Sequence, residues 1–245
     1  METRVDEITE RVYRLSTFLP TVGPTGFTFN QFLVDAEEPL LFHCGQRALF
    51  PAVSAAVARV MDVRRLRWIA FSHIEADECG ALAEWLEAAP AATVTHGAIG
   101  CAIWLTDQSP RPPRALADDE VLDLGGRRVR HLDTPHVPHC WDAGLLFEET
   151  TGTLFTSDLF THVGDPPALT EGDILSPAMA AEQHFGYTAV SPATGATIRR
   201  LAALAPRTLA VMHGSSFSGD APAALQTLAR FYDERQAAAA ASARP

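Results

Sequence analysis

The chain has 245 residues, 47% of them hydrophobic and 20% charged. That is a globular balance, long enough to bury a core without disulfide staples. A formal net charge of −11 argues against a sequence-independent nucleic-acid binder, because phosphate contacts need clustered Lys and Arg. The four cysteines, Cys44, Cys79, Cys101 and Cys140, form no CxxC pair, so reduced thiols and a cytoplasmic setting are expected. The first residues, METRVDEITERVY, carry no apolar signal core, and no apolar run is long enough to cross a bilayer.

Weak alternation over 11–15 and the aromatic and branched run 27–34 predict strands. The acidic turn AEEP then leads to a strand at 40–43, so the two form a hairpin. Leu49, Val53, Val57 and Val60 fall near helical spacing within 47–61. The apolar run WIAFS, 68–72, reads as a strand that opens directly into the polar HIEADECG. A short helix at 81–88, a strand at 93–95 and a second small helix near 98–105 follow. Pro110, Pro112 and Pro113 mark 107–119 as a surface loop. Hairpins are predicted around Gly125-Gly126 and Thr151-Gly152, with Glu148-Glu149 at a solvated tip. After a loop at 164–177, helices are expected over 178–188, 194–204 and 221–236, with a strand at 208–212. The last residues, 236–245, read as a frayed tail of a single domain spanning 1–245.

This order gives two similar halves, each a sheet with helices on one side, hence an αββα sandwich of the α/β class. A doubly wound sheet is the competing arrangement, weakened by the hairpins, since parallel sheets need crossovers.

The chemistry is concentrated at strand ends. In Ser72-His73-Ile74-Glu75-Ala76-Asp77-Glu78, alternate side chains of an extended stretch share a face, so His73, Glu75 and Asp77 can converge. The same string also reads as an acidic turn capping the next helix. His139 follows the run LDTPHVPHC, Asp158 closes LFTSD, and His213 closes TLAVMH. Four strand ends bearing His, Asp or Glu would meet at one sandwich edge. A dinuclear metal site needs such an arrangement, with a carboxylate to bridge.

On these motifs the sequence resembles the metallo-β-lactamase fold, and within it the diiron branch of flavodiiron and oxygen-binding diiron proteins. The hydrolase branch carries HxHxDH and the diiron branch HxExDH; here the string is His73-x-Glu75-x-Asp77-Glu78, followed by HCWDA, LFTSDLF and MHGS. The resemblance implies one iron held by His73, Glu75 and His139, a second by Asp77 and His213, and Asp158 between them. Glu78 stands where the family pattern has histidine and is a further candidate ligand. With it, four carboxylates match two divalent cations and favour iron, with manganese or zinc as alternatives. His136 competes with His139 but fits the family's hairpin interval less well. His136, His184 and Cys140 are candidates for supporting positions around the metals. His43, His96, His131 and His162 show no partner pattern and read as structural or surface residues.

The resemblance further implies binding or reduction of O2 or NO. The chain ends after the sandwich, so no FMN-bearing flavodoxin domain is expected in it and electrons would come from an external donor. The alternatives are hydrolysis of a thioester, lactone or phosphodiester, and a diiron oxygenase acting on a small organic substrate. A homodimer is implied by the flavodiiron relatives, with Phe160, Phe185 and Phe217 as candidate interface residues. Neither nucleic acid nor membrane is an expected partner.

Overall fold

Two seven-stranded sheets face one another across a shared apolar layer. The computed structural model describes residues 2–23 and 25–242. The first sheet runs in order β1 (Thr3–Thr9), β2 (Val12–Leu19), β3 (Phe27–Val34), β4 (Leu40–Phe42), β5 (Trp68–Ala70), β6 (Thr93–Gly97) and β7 (Arg114–Leu116). It is antiparallel up to β4 and parallel from there to β7. The second sheet is built from β8 (Val121–Asp123), β9 (Arg128–Asp133), β10 (Gly144–Glu148), β11 (Thr153–Ser157), β12 (Leu169–Thr170), β13 (Thr208–Val211) and β14 (Ser216–Phe217). Its spatial order is β12-β14-β13-β11-β10-β9-β8.

Period-two alternation assigns each side chain to a layer. In the first sheet, Phe29, Leu33, Leu41 and Ile69 face outward, onto α1 (Phe50–Val57) and α3 (Leu82–Ala88). Their neighbours Phe32, Val34, Leu40, Phe42, Trp68 and Ala70 face inward, where they meet Leu146, Phe155 and Ala210 of the second sheet. On the far side, Leu145, Leu154 and Leu209 pack beneath α7 (Thr194–Ala203) and α8 (Ala221–Ser242) through Ile198, Leu201, Leu225 and Leu228. The result is the expected αββα sandwich; the doubly wound alternative is overturned by two separate sheets packed face to face, each with helices on its outer side. The remaining helices are α2 (Ala76–Cys79), α4 (Ala98–Gly100), α5 (Thr106–Gln108) and α6 (Leu175–Phe185).

Phe155 is fully buried between the sheets, its ring centroid 5.6 Å from Phe32 and 5.2 Å from Phe42. Phe155→Ala should therefore cost about 3–5 kcal/mol, the range for emptying a large aromatic site in a core. Urea denaturation of the variant measures it.

Several local features depart from the sequence expectations for identifiable reasons. β1 has only two apolar side chains, Val5 and Ile8, too few for a periodic signal, and it forms by pairing with β2. β7, β12 and β14 are two or three residues long and depend likewise on their neighbours. Helix α6 starts at Leu175 rather than 178 because Asp173 Oδ1 accepts from the amides of Leu175 and Ser176. It ends at Phe185 because Gly186 turns left-handed at φ +61°. Residues 236–242, expected to fray, continue α8, in keeping with the helix propensity of alanine; 243–245 lie outside the described residues. Glu148 is no solvated tip. It is fully buried and accepts from the amides of Thr150 and Thr151, with Arg127 3.6 Å away. No described helix is long and apolar enough to cross a membrane.

Candidate metal centre

Strand ends deliver the candidate ligands to one edge of the sandwich. His73 lies three residues past β5, Asp158 directly follows β11, and His213 lies two residues past β13. The loop between β9 and β10 brings in His139, while Glu75 and Asp77 come from the start of α2. This loop-on-rigid-scaffold placement suits a site.

Asp158 sits at the middle of the cluster. Its Oδ2 is 3.6 Å from His73 Nε2 and 3.6 Å from His139 Nε2. Its Oδ1 is 3.2 Å from His213 Nε2. Glu75 Oε2 completes the first group, 2.9 Å from both His73 Nε2 and His139 Nε2. Asp77 Oδ2 completes the second, 3.3 Å from His213 Nε2. One donor atom from each of His73, Glu75, His139 and Asp158 falls within 4.8 Å of the others.

All three histidines present Nε2 inward because Nδ1 is occupied elsewhere. His213 Nδ1–H donates to the Thr28 carbonyl at 2.8 Å, and His139 Nδ1–H to the Tyr187 carbonyl at 3.1 Å. His73 Nδ1 is 2.8 Å from Ser72 Oγ. Ser72 itself donates to Glu78 Oε2, so His73 Nδ1–H is the donor to Ser72. Fixing the outer nitrogen in this way orients an imidazole for metal binding.

The electrostatics of the cluster suit cations. Burial opposes charging of His73, but Glu78, Glu75 and Asp158 outweigh it and push its pKa up to about 10. Burial likewise opposes His213, and Asp158 with Asp77 raises it to about 10. Hydrogen bonds from His139 and His73 hold the Glu75 carboxyl well below the usual carboxylate range. Burial works against an ionised Asp158, yet His213 keeps it below its ordinary value. The carboxylates thus favour positive charge at the imidazoles, and divalent ions would supply it in place of protons.

Glu78 does not face the cavity. It is fully buried, and its carboxylate accepts from the amides of Ser72 (2.9 Å) and His73 (3.1 Å) and from Ser157 Oγ (2.7 Å). His43 Nε2 stands 3.4 Å from it. The structure thus turns this candidate ligand away from the second metal position and into the support of His73. His136 and His184 are both exposed. His136 lies in a left-handed turn at φ +65°, and the His184 ring packs against Phe185. Neither lines the cavity. Cys140 is the exception among the three supporting candidates, lying near His73 and His139.

Above the cluster opens a cavity of about 290 Å³. Its floor is Glu75, Asp77, His139, Asp158 and His213; its walls include Val22, Phe27, Phe185 and Tyr187. Ser72, Ser157, Phe27 and Tyr187 were not legible as site residues. Only the position of Ser72 beside His73 at a strand end offered a signal.

His162, beside this floor, has no free nitrogen. Nε2 accepts from the Ser215 amide at 2.9 Å, and Nδ1–H donates to the Phe160 carbonyl at 2.9 Å. Burial, the largest cause, lowers its pKa, and burial also lowers those of His43 and His96, the latter to about 4. These groups are neutral in the fold, whereas an unfolded histidine takes up a proton near pH 6.5. Their contribution is complete above pH 6.5 and is lost as pH falls below it, at up to about 1.4 kcal/mol per pH unit for each proton. Urea denaturation between pH 7.5 and 5 should show His162→Gln with a shallower acid loss than the parent chain.

The sandwich and its strand-end cluster define a protein of metallo-β-lactamase type. The model described as ODP family beta lactamase matches residues 27–214, and the chain belongs to that family. A putative diflavin flavoprotein A 1 from Nostoc sp. is 29% identical over 199 residues, covering 77% of this chain and 33% of that protein. Rubredoxin-oxygen oxidoreductase of Megalodesulfovibrio gigas is 22% identical, covering 81% and 51%. The chain therefore spans between a third and about half of these relatives. Among solved structures, the flavodiiron protein from Giardia intestinalis superposes with a TM-score of 0.82 at 17% identity, covering 96% of this chain and 61% of that one. The rubredoxin oxygen:oxidoreductase of Desulfovibrio gigas gives 0.81 at 19% identity, covering 94% and 62%. At these identities the structural likeness speaks for the fold alone.

Proposed function

We propose that this protein is a dinuclear non-haem iron protein that binds or reduces O2 or NO with electrons from an external donor. His73, Glu75 and His139 would hold one iron, Asp77 and His213 the other, and Asp158 would bridge them. The observation that carries the reading is the orientation of Asp158, with one oxygen toward each histidine group. A bridging carboxylate has that geometry, and a carboxylate-rich donor set suits iron or manganese better than zinc. When bound, the metal pair supplies the redox chemistry. The protein's own part is to fix three imidazoles through Nδ1 and to wall the open side with Val22, Phe27 and Phe185. The names of the diflavin flavoproteins and of rubredoxin-oxygen oxidoreductase agree with redox chemistry and a separate electron carrier.

The test is anaerobic loading with ferrous iron, followed by exposure to O2 or NO. Two irons per chain and a change in the visible spectrum on gas addition support the proposal. Zinc retained after iron-replete expression, hydrolysis of a thioester or lactone and no response to either gas would overturn it. The cavity of about 290 Å³ favours a second reading, hydrolysis or oxygenation of a small organic substrate, because a diatomic gas needs far less room.

A homodimer is also proposed, with one of its three candidate interface residues left. Phe160 and Phe217 are 1% and 7% exposed and belong to the core, which removes them as interface candidates. Phe185, 48% exposed at the cavity mouth, remains available. Sedimentation at micromolar concentration decides the state, and a monomer would defeat the claim.

A further inference from the structure

His73 and His139 belong to two donor groupings at once. With Glu75 and Asp158 they form the oxygen-rich set described above. With Cys140 they form another, in which one donor atom from each residue again lies within 4.8 Å of the other two. Glu75 and Asp158 are absent from this second grouping, so the thiol lies within that distance of both histidines but not of the whole oxygen-rich set.

The backbone accounts for that approach. Cys140 directly follows His139 and adopts a left-handed φ of +62°, a conformation uncommon for a residue with a side chain. The Cys140 carbonyl is held by the amide of His136, at 2.7 Å, which closes the turn. Two other cysteines donate their thiols to backbone carbonyls, Cys79 to Glu75 and Cys101 to His96. Cys140 makes no such bond among the described residues, and it is only half-buried.

Donor chemistry then separates the two sets. Carboxylates suit hard ions such as ferrous iron and manganese, whereas a thiolate with two imidazoles suits zinc and other thiophilic ions. A tetrahedral ion sits about 2.0–2.3 Å from nitrogen and sulfur donors. The three atoms are close enough that rotation of the thiol would bring them onto one ion, with a single carboxylate as the fourth ligand.

We propose that His73, His139 and Cys140 form an alternative, thiol-containing ligand set at the first metal position, which takes a thiophilic divalent ion such as zinc. Metal selection at this position is then a competition between sulfur and oxygen around a shared histidine pair. The inference rests on the metal-centre reading above, and the experiment separates the two.

Cobalt(II) titration of the metal-free protein provides the test, because cobalt reports its ligands optically. The unmodified protein should develop visible d–d bands together with a near-ultraviolet thiolate-to-cobalt charge-transfer band. Cys140→Ser should keep the visible bands and lose the near-ultraviolet one. In competition against a chromophoric chelator, Cys140→Ser should weaken zinc binding by at least about tenfold, since even outer partners of a metal site are worth that much. Manganese affinity should stay within about twofold, as oxygen donors carry it. Visible bands without the charge-transfer band in the unmodified protein would overturn the role of Cys140 and leave the metal centre standing. Failure of the folded protein to bind cobalt at all would overturn the metal centre itself.

Discussion

Asp158→Ala should remove both metals rather than one. Each of its carboxylate oxygens faces a different histidine group, Oδ2 toward His73 and His139 and Oδ1 toward His213. On the proposed ligand set, losing it would cost each metal position one anionic donor and remove the one carboxylate that, among the described residues, faces both histidine groups. The second position would retain only Asp77 and His213, too few donors to compete with water and chelators. Metal analysis after dialysis should therefore fall from two ions per chain to less than one, with loss of any O2-dependent spectrum. The substitution should leave the sandwich intact, because Asp158 lies at the sheet edge and not in the apolar layers. Far-ultraviolet circular dichroism checks that. Retention of one tightly bound ion with unchanged spectroscopy would show that Asp158 is a terminal ligand of one metal and not a bridge.

Glu78→Ala should strike the first metal and the fold together, and leave the second metal less affected. Were Glu78 a ligand of the second metal, the pattern would be reversed; were it only a helix cap, about 1 kcal/mol of stability would be lost with metal content unchanged. The structure supports neither. Glu78 joins the amides of Ser72 and His73, Ser157 Oγ and the Ser72 hydroxyl in one buried network, with His43 beside it. Burial alone would raise its pKa, but the charge on His73 and the hydrogen bonds it accepts hold it below the ordinary value, so it is ionised in the fold. Removing a buried, paired charge of this kind costs about 3–5 kcal/mol. It also frees Ser72 and with it the anchor of His73 Nδ1. Outer partners of metal-bound histidines are worth about 10–100-fold in affinity, and that is the loss expected for the first ion. Glu78→Gln, which keeps the shape and part of the hydrogen bonding, should recover most of the stability and less of the affinity. A selective loss of the second ion in either variant would place Glu78 among its ligands.

The chain by itself determined the layers and the candidate donors. The aromatic and branched run 27–34 and the hairpin around Thr151-Gly152 mark strands from local residues alone, and the order of strands and helices gives two half-sheets with helices on one side. The donors were legible for a related reason: His73, Asp158 and His213 each sit within three residues of a strand end, and strand ends of a sandwich share an edge. What only the tertiary structure decided are the partnerships across elements. Glu78 looked like a ligand because it follows Asp77 in a ligand-rich string, yet its destination is set by Ser157, 79 residues further along. Phe160 and Phe217 lie in or beside loops but are sealed by packing against the helical layer. Cys140 meets His73 only because the turn at 136–140 folds the β9–β10 loop over the end of β5. Such contacts arise from side chains distant in sequence converging on one point, and a local pattern of apolar and polar residues carries no record of them.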